Sequence, residues 1–582
     1  MNGLKQFRPL YLMLGVVASA LLAYGLLTRP AAQPADAEGF ASARVVEDIK
    51  VISQKHHSVA PEHVEARAEV REYLAGRLLE LGADTLKRFH YDSLQGPFNK
   101  KHVEPYTFDA ENLLAEFYPL NESEDTTYLM FVAHFDSRYC QPMPEGMVWS
   151  YGAADDGYGV GVTLETVAHL LKNRAAWKQG VKVLFTDAEE VGMEGMKAQW
   201  ANDKHIFDNV GLMINLEARG PFGPCLLFET CPGNEKIMDL YADAADYKFT
   251  YSLTTVVYSF MPNFTDFTIV KDEIPGMNFS TITDINHYHT DKDNFSNVCE
   301  KTIQHYGAQV LPIAMEYVTN PVYADKDYLR SDKDTVNFTI PVFGLFNFSK
   351  TIYIILNVLF FFLFLCVFGL EGIRGRLKAA KVFKASGMVL MLAVISLVAG
   401  LLISYLCCLV AGAEFKLFGV IHGVQFDNVA MIVFMALLAV VLIVFYLKGK
   451  GRAVRASMNS MRSSATATAS VNYANNVLYG ALALMLVLNV ALLLTIGENL
   501  MFMVPFTFAT ISLILYRLTS MRLWLLAGIF ATLLHAFSFL FALSMALTIG
   551  AFGAVMMIAA IDMMVLIPMA DMYTMPSRPR RN

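Results

Sequence analysis

The sequence predicts an α/β domain, built on a mixed and largely parallel sheet with helices on both faces, followed by an all-α polytopic transmembrane domain. Two observations support this prediction. Residues 30–340 combine many charges with short apolar runs that alternate with helical periodicity, the pattern of a sheet covered by helices. Residues 350–570 are almost continuously apolar and are interrupted by short basic loops. The composition agrees, because 55% hydrophobic residues is too high for a purely soluble chain of 582 residues.

Charge and cysteine content narrow the functional classes. The net charge of −7 indicates no basic surface, so we expect no nucleic-acid partner. Four of the seven cysteines lie in the globular part, without the spacing of a cysteine or histidine zinc site: Cys140, Cys225, Cys231 and Cys299. Cys225 and Cys231 are near enough in sequence to close a small loop, but the sequence does not establish one. It also leaves the oligomeric state open.

The N-terminus contains an apolar run from Pro9 to Leu27, preceded by Lys5 and Arg8. A run of about 18 residues is long enough to cross a bilayer, whereas the apolar core of a signal peptide has about 7–15 residues. We therefore predict an uncleaved anchor rather than a signal peptide cleaved near Ala35. In either case the globular domain is exported.

Helical and strand patterns alternate along the exported domain. Residues 41–82 and 160–171 have apolar residues at helical spacings. Apolar runs predict strands at 112–117, 128–133, 181–185, 211–215 and 276–282. Ligands of such sheets bind at the carboxyl ends of the strands, and the candidate acidic and histidine residues all follow these strands.

The first candidate site residues surround the second predicted strand. His134 and Asp136 follow it, and a glycine-containing loop leads to Asp155 at the start of a helix. An imidazole ligand needs a partner that fixes its tautomer, and Asp136 is placed to provide it. A carboxylate from a different loop can then bridge two divalent ions. The alternative is a chance histidine with an acidic helix cap.

Three further strands end in acidic or histidine residues. Glu189 and Glu190 follow strand 181–185, where one can bind metal while the other acts as a general base. Glu217 follows strand 211–215, and His289 follows strand 276–282. Two ions could bind to these residues. One would have the ligands His134, Asp155 and Glu217, and the other would have the ligands Asp155, Glu190 and His289. Each ion would then have nitrogen and oxygen ligands and an open position, as in catalytic zinc.

These segments resemble family 28 of the metallopeptidases, the di-zinc exopeptidases that include bacterial leucyl aminopeptidases and glutamate carboxypeptidase. The resemblance covers residues 40–320 and rests on five ordered motifs, VAHFDS, GAADDG, DAEEVG, NLEARG and HYHTDKDN. It implies a zinc exopeptidase-like fold and two zinc ions per chain. One ion would be held by His134 and Glu217 and the other by Glu190 and His289, with Asp155 bridging.

The resemblance also implies roles around the metals. Glu189 would be the general base, Asp136 would support His134, and Asp293 would support the loop of His289. The family often has Asp where this chain has Glu217, a change that keeps the charge and the oxygen donor. With its membrane half, the whole chain resembles the endoplasmic-reticulum branch of the family or a bacterial counterpart.

We therefore expect a membrane-anchored di-zinc exopeptidase with a peptide substrate, most simply an aminopeptidase. The alternatives are a carboxypeptidase or dipeptidase, a glutaminyl cyclase, or a non-catalytic scaffold on the same fold. The complete set of five ligands argues against the scaffold and favours hydrolysis over the single-zinc cyclases. Arg219 could bind a substrate carboxylate or form a structural ion pair. Tyr258 is a candidate to stabilise the oxyanion.

Seven apolar runs in the second half are each long enough to span a bilayer: 352–370, 387–411, 428–447, 475–495, 499–516, 523–541 and 546–568. Basic residues cluster in alternate loops and at the C-terminus. Eight spans, counting the anchor, place every basic cluster in the cytoplasm and the catalytic domain outside. The predicted segments are a cytoplasmic N-terminus (1–8), an anchor (9–28), a linker (29–37), an exported peptidase domain (38–345), a transmembrane domain (350–570) and a basic cytoplasmic tail (571–582).

Two further features concern the membrane. His535 and Asp562 lie inside predicted spans but at different depths, so we expect no pair between them. Asn278 and Asn294 begin glycosylation triplets at places where a glycan would obstruct folding or access. The triplets are therefore taken as accidental, which favours a bacterial cytoplasmic membrane over the endoplasmic-reticulum lumen.

Overall fold

The structure is a computed structural model that describes residues 30–96, 106–139, 141–143, 146–259, 264–458 and 465–575. The chain divides into two compact units, one formed mainly by residues 27–339 and the other mainly by residues 351–582. The predicted anchor at 9–28 lies outside the described residues, as does most of the predicted basic tail.

The first unit is organised around a seven-stranded sheet. The strands among the described residues are β1 (Thr85–Gly96), β2 (Tyr106–Phe117), β3 (Tyr128–His134), β4 (Gln141–Met143), β5 (Gly146–Val148), β6 (Gly180–Thr186), β7 (Val210–Ala218), β8 (Leu226–Thr230), β9 (Gly276–Thr281), β10 (Thr335–Ile340) and β11 (Gly344–Ser349). The main sheet has the order β1-β2-β6-β3-β7-β9-β8, and β4-β5 and β10-β11 form separate two-stranded sheets. The predicted mixed α/β fold is confirmed.

Parallel pairing is confined to the centre of this sheet. The strand pairs β3-β6, β3-β7 and β7-β9 are parallel, whereas β1-β2, β2-β6 and β8-β9 are antiparallel. Every residue of β3, β6, β7 and β9 is buried. Strands covered on both faces read as continuous apolar runs, which is why the sequence located these four. The sequence analysis did not identify the edge strand β1, because its residues are largely polar and half-exposed.

Eight helices accompany the sheet within the described residues: α1 (Ser42–Ile52), α2 (Val64–Glu80), α3 (Gly157–Leu171), α4 (Glu194–Asn202), α5 (Glu235–Ala244), α6 (Ser252–Ser259), α7 (Asp266–Val270) and α8 (Glu300–Thr319). Helices α1, α3 and α8 pack on one another, and α3 and α8 contact β3. Helices α2 and α4 pack against β1 and β2. The α1–α3 contact needs a glycine, because a Cβ at Gly161 would lie 2.7 Å from Val45 Cγ1.

Helix α3 begins three residues before the predicted start. Asp156 caps it, accepting a hydrogen bond at 2.9 Å from the amide of Gly159. This cap fixes the chain immediately after Asp155 and so positions that carboxylate at the helix start.

Two open questions from the sequence are answered by the fold. Cys225 and Cys231 are both free and buried. The five-residue strand β8 separates them, and an extended segment of this length spans about 17 Å, too far for a disulfide. Asn278 is fully buried, and its side-chain amide donates hydrogen bonds to Glu229 and Thr265. Its side chain is therefore inaccessible to glycosylation in the folded domain.

The second unit is helical, and the chain is a multi-pass membrane protein. Its helices are α9 (Lys350–Ile373), α10 (Ala379–Ala411), α11 (Asp427–Met458), α12 (Ala465–Ile496), α13 (Leu500–Thr519), α14 (Leu523–Leu547) and α15 (Phe552–Thr574). Six stretches among the described residues are long and apolar enough to span a membrane, and the longest of these, Leu523–Thr574, contains both α14 and α15. Six of the seven predicted runs overlap one helix each, and the run 546–568 overlaps the last two residues of α14 as well as α15.

Two buried polar side chains inside this unit, His535 and Asp571, have identified partners. His535 Nε2 lies 3.1 Å from the carbonyl oxygen of Leu500. Asp571 accepts hydrogen bonds from the Tyr446 hydroxyl at 2.9 Å and from Lys450 Nζ at 2.6 Å. Such pairing offsets the cost of placing ionisable groups among apolar helices.

A buried ion pair joins helix α2 to the loop that follows β6. The Arg67 guanidinium lies 3.2 Å from Asp187 Oδ1 and donates to the carbonyl oxygen of Asp109 at 2.9 Å. Asp187 also accepts from the amide of Glu111 at 3.1 Å. Both charged side chains are almost fully buried, so each depends on the other for compensation.

We expect Arg67→Ala to lower the free energy of unfolding by about 3–5 kcal/mol, because it leaves the Asp187 carboxylate buried without its cation. Arg88→Ala is the matched control, since Arg88 forms an exposed ion pair with Glu72, and we expect a loss of about 0–1 kcal/mol. Urea unfolding of the full chain in detergent, followed by tryptophan fluorescence, measures both. Equal losses in the two variants would contradict the assignment.

Candidate metal centre

The site lies at the carboxyl ends of the central strands. His134 is the last residue of β3, Glu217 is the eighth of nine residues in β7, Glu189 and Glu190 follow β6, and His289 lies in the loop after β9. Because β6, β3, β7 and β9 are neighbouring parallel strands, these ends meet at one edge of the sheet. The positions of these residues directly after predicted strands had indicated this convergence.

The five predicted ligands are brought together in two groups that share Asp155. In the first group, His134 Nε2 lies 3.3 Å from Asp155 Oδ1 and 3.6 Å from Glu217 Oε2. In the second, His289 Nε2 lies 3.3 Å from Asp155 Oδ2 and 3.1 Å from Glu190 Oε2. The two oxygens of Asp155 therefore face different groups, as a bridging carboxylate would.

These distances fit zinc. Two ligand atoms at 2.0–2.1 Å from one tetrahedral ion would be about 3.3 Å apart. Within the described residues, Asp155 Oδ2, Glu190 Oε1 and His289 Nε2 are buried and have no hydrogen-bond partner. Buried, unbonded atoms on three residues of one group are suited to a shared cation, and a nitrogen and oxygen donor set suits Zn²⁺.

The tautomer of His134 supports the same conclusion. Its Nδ1 lies 3.0 Å from the carbonyl oxygen of Asp136, which can only accept, so Nδ1 carries the hydrogen. In the neutral ring, Nε2 then presents a lone pair towards the carboxylates of Asp155 and Glu217. This arrangement is repulsive unless a proton or a metal ion lies between them.

The pKa values reflect this crowding. Burial raises the pKa of Glu217 and of Glu189 well above the usual value, and the charge of Glu217 adds to the effect on Glu189. Burial also acts on Glu190, but the charges of His289 and Arg138 hold its pKa well below the usual value. Divalent cations would relieve the repulsion among these carboxylates.

The carboxylate of Asp136 mainly forms hydrogen bonds with main-chain amides. Its carboxylate accepts hydrogen bonds from the amides of Glu189 at 2.9 Å and Glu190 at 3.3 Å. His134 Nδ1 lies 3.5 Å from Asp136 Oδ1 but only 3.0 Å from the carbonyl oxygen of Asp136. The expected support of His134 thus comes chiefly from the carbonyl group, while the carboxylate positions the two glutamates.

Asp293 differs from the expectation. Its carboxylate accepts from the amides of Ala154 at 2.6 Å and Asp155 at 3.3 Å, and from the Ser150 hydroxyl at 2.9 Å. Its carboxylate therefore supports the loop of the bridging residue, while its amide donates to the carbonyl oxygen of Thr290 in the loop of His289 at 3.1 Å. Burial, together with the charge of Asp155, raises the pKa of Asp293 to about 7.

Sequence reasoning missed two residues that contact the ligands. Arg138 lies 2.8 Å from Glu190 Oε2 and donates to the Glu190 carbonyl oxygen at 2.6 Å. Asn215 donates to Glu217 Oε1 at 3.2 Å. Asn215 precedes Glu217 by two residues on a strand, so period-two alternation could have indicated the contact. Arg138 has no such signal, because its partner lies 52 positions away.

A cavity of about 310 Å³ opens beside the two groups, and both predicted substrate residues line it. The Tyr258 hydroxyl is buried and has no hydrogen-bond partner among the described residues, and burial raises its pKa, so it stays protonated. Arg219 has no carboxylate within 4.0 Å among those residues, so the structural ion pair considered for it is not found. Its guanidinium carbon lies instead 5.4 Å from the centre of the Tyr288 ring.

Residues 112–314 match the sequence profile of Peptidase family M28. The chain is similar to endoplasmic reticulum metallopeptidase 1 of Homo sapiens, with 27% identity over 260 residues, 43% of this chain and 27% of the relative. It is similar to the vacuolar membrane protease of Schizosaccharomyces pombe, with 25% identity over 338 residues, 54% of this chain and 36% of the relative. The matched part of the chain thus spans less than two-fifths of the length of either relative.

Two solved structures are also similar. One is a glutaminyl cyclase of Bacteroides thetaiotaomicron bound to N-acetylhistamine, with 19% identity and a TM-score of 0.37, covering 48% of this chain and 98% of the other. The second is a Zn-dependent exopeptidase from Parabacteroides distasonis, with 20% identity and a TM-score of 0.35, covering 48% of this chain and 99% of the other.

The match of residues 112–314 to the family profile confirms the predicted family resemblance and supports a zinc-dependent hydrolase.

We expect His134→Ala and His289→Ala each to bind about one zinc ion fewer than the wild type, because each histidine belongs to one group only. Asp155→Asn should weaken both sites, because the lost charge is shared. Zinc per chain, measured by mass spectrometry after loading and dialysis, tests this.

His205→Ala is the matched control, since His205 is exposed on a surface turn and should leave the zinc content unchanged. Wild-type zinc content in Asp155→Asn would show that the bridging assignment is wrong.

Proposed function

We propose, on the premise that residues 112–314 form a domain of peptidase family M28, that the chain is a membrane-bound exopeptidase that uses two zinc ions and hydrolyses peptides from the amino end. The observation that carries this proposal is the sharing of Asp155 between two groups of ligand atoms beside a cavity that also contains Glu189. Glu189 belongs to neither group and is therefore available to the substrate.

The residues have separate tasks in this proposal. The bound zinc ions supply Lewis acidity that polarises the scissile carbonyl and activates water. Glu189 accepts the proton of the attacking water at its carboxylate and passes it to the leaving amine. The Asp136 carboxylate holds the amide of Glu189 and so fixes the base. The Tyr258 hydroxyl donates a hydrogen bond to the oxygen that becomes negatively charged.

The size of the cavity supports cleavage at a chain end. Its volume of about 310 Å³ is at the low end for ligand sites, which suits a terminal residue and its neighbour better than a continuous polypeptide. The complete pair of metal-binding groups favours hydrolysis over cyclisation and over a scaffold role.

We place this activity outside the cytoplasm, on a bacterial cytoplasmic membrane. The basic clusters at 374–384, 448–455, 517–522 and 578–581 would then all face the cytoplasm. The burial of Asn278 agrees, because a glycosylation triplet that cannot be used is consistent with a compartment that lacks glycosylation.

Glu189→Gln tests the function most directly. We expect it to keep both zinc ions and to lower kcat about 10²–10⁴-fold, because an amide cannot accept the proton. Glu190→Gln should instead lose zinc from the second group. Turnover of aminoacyl, dipeptide and N-terminal glutaminyl substrates by the zinc-loaded full chain, with zinc content in parallel, measures both effects.

If Glu189→Gln loses zinc while Glu190→Gln keeps zinc but is inactive, the two roles are reversed. Absence of any peptide hydrolysis by the wild type with two zinc ions bound would overturn the proposed function.

Tyr258→Phe should lower kcat about 10²–10³-fold, because it removes one hydrogen-bond donor to the developing oxyanion. Zinc content should not change, since Tyr258 is in neither metal-binding group. Phe228→Leu, which alters the ring that Tyr258 packs against at 5.1 Å, is a control for general disturbance of this wall. A larger loss in the control than in Tyr258→Phe would argue against a role for the hydroxyl.

A further inference from the structure

The cavity wall contains one charged side chain without a counterpart. Its charged lining residues are Arg138, Asp155, Glu189, Glu190, Glu217, Arg219 and His289. Arg138 is paired with Glu190, and the remaining carboxylates and His289 belong to the metal-binding groups or to the proposed base. Arg219 stands apart, because among the described residues its guanidinium has neither a carboxylate within 4.0 Å nor a hydrogen-bond acceptor.

The position of Arg219 is nevertheless well defined. Its amide donates at 3.1 Å to the carbonyl oxygen of Thr281, which ends the neighbouring strand. Its guanidinium carbon lies 5.4 Å from the centre of the Tyr288 ring, and that ring stacks on His289 with 3.5 Å between centroids. The cation is therefore fixed next to one metal-binding group.

The way in which Arg219 is held leaves its donors available. The contact with the Tyr288 ring involves no hydrogen-bond acceptor atom, so the five N–H groups of the guanidinium keep their capacity to donate. An immobilised guanidinium with free N–H groups is complementary to a carboxylate, which it binds through two parallel hydrogen bonds. No other charged group on the described wall offers a substrate this kind of contact.

The short chain distance between Glu217 and Arg219 limits where that carboxylate lies in the substrate. Arg219 directly follows β7, which ends at Ala218, and Cα atoms two residues apart are separated by at most about 7 Å. Glu217, in the first metal-binding group, and Arg219 are two apart. The same distance corresponds to about two residues of extended peptide. A carboxylate that reaches Arg219 is therefore one or two residues beyond the bond at the metals.

We propose that Arg219 is a specificity-determining residue that binds the terminal carboxylate of a short peptide, one or two residues beyond the scissile bond, so that the preferred substrates are dipeptides and tripeptides. This inference rests on the proposed function. Longer peptides and amidated peptides lack a terminal carboxylate at this distance and bind without the contact. The substrate is thus recognised at both ends, at the scissile bond by the metal centre and at its carboxyl terminus by Arg219.

The test compares alanyl-leucine with alanyl-leucinamide, which differ only in the terminal carboxylate. The wild type should hydrolyse the free acid with a kcat/KM about 10- to 150-fold above that of the amide. This ratio corresponds to the free energy that a hydrogen bond to a charged group typically contributes. Arg219→Gln should lose this preference, because its kcat/KM for the free acid should fall while its kcat/KM for the amide stays within about threefold of the wild-type value. Arg330→Gln, a change in an exposed ion pair with Asp327, should keep the wild-type preference.

Alanyl-aspartate α-amide separates a terminal from a side-chain carboxylate. A preference of the wild type for this substrate over alanyl-leucine would overturn the terminal assignment. Equal rates for the acid and the amide in the wild type, or an equal loss on both substrates in Arg219→Gln, would overturn the role of Arg219. Zinc content and thermal unfolding of each variant show whether the change is confined to recognition.

Binding to an inactive background separates this inference from the proposed function. Calorimetric titration of alanyl-leucine and its amide into zinc-loaded Glu189→Gln, and into Glu189→Gln combined with Arg219→Gln, reads the carboxylate contact without turnover. A preference for the acid that disappears in the double variant supports the contact even if hydrolysis is never observed. Hydrolysis by the wild type without any such preference leaves the proposed function standing and rejects the role of Arg219.

Discussion

Crowding of buried carboxylates at one edge of a sheet is the constraint on which the exported domain depends. Asp155, Glu189, Glu190 and Glu217 meet there, and like charges that are buried together are unfavourable unless cations compensate them. The chain supplies part of the compensation through Arg138 and two histidines. Cations would supply the rest, and buried ligand-residue atoms without a hydrogen-bond partner among the described residues, such as Asp155 Oδ2 and His289 Nε2, are suited to them.

The surrounding structure acts on this centre mainly through the backbone. Asp136 binds the amides of residues 189 and 190, and Asp293 binds those of residues 154 and 155. Each of these buried acceptors fixes a loop that carries ligands, so the ligand side chains extend from anchored positions. His289 adopts a left-handed conformation, with φ of 61°, which turns its ring towards Asp155 and Glu190. A metal site needs such support because small displacements of the ligands weaken it.

In the membrane unit, too, buried carboxylates are compensated by nearby cations. Glu371 is buried and lies 2.9 Å from Arg376 and 3.3 Å from Arg517, and Asp571 is paired with Lys450. Several basic residues that the positive-inside rule assigns to the cytoplasm therefore also neutralise buried carboxylates of the helices. Their loss would affect the packing of this unit as well as its orientation.

The sequence by itself determined the central strands and placed the five candidate metal ligands at their carboxyl ends. Buried parallel strands are continuous apolar runs, and polar residues directly after them must lie at one edge of the sheet, so both follow from local pattern. Tertiary structure alone decided what each side chain meets. It pairs Arg138 with Glu190, turns Asp293 towards the loop of Asp155, and leaves Arg219 with no carboxylate within 4.0 Å in the part of the chain that the structure describes. These contacts join residues far apart in the chain, and sequence spacing carries information only about neighbours along one helix or strand.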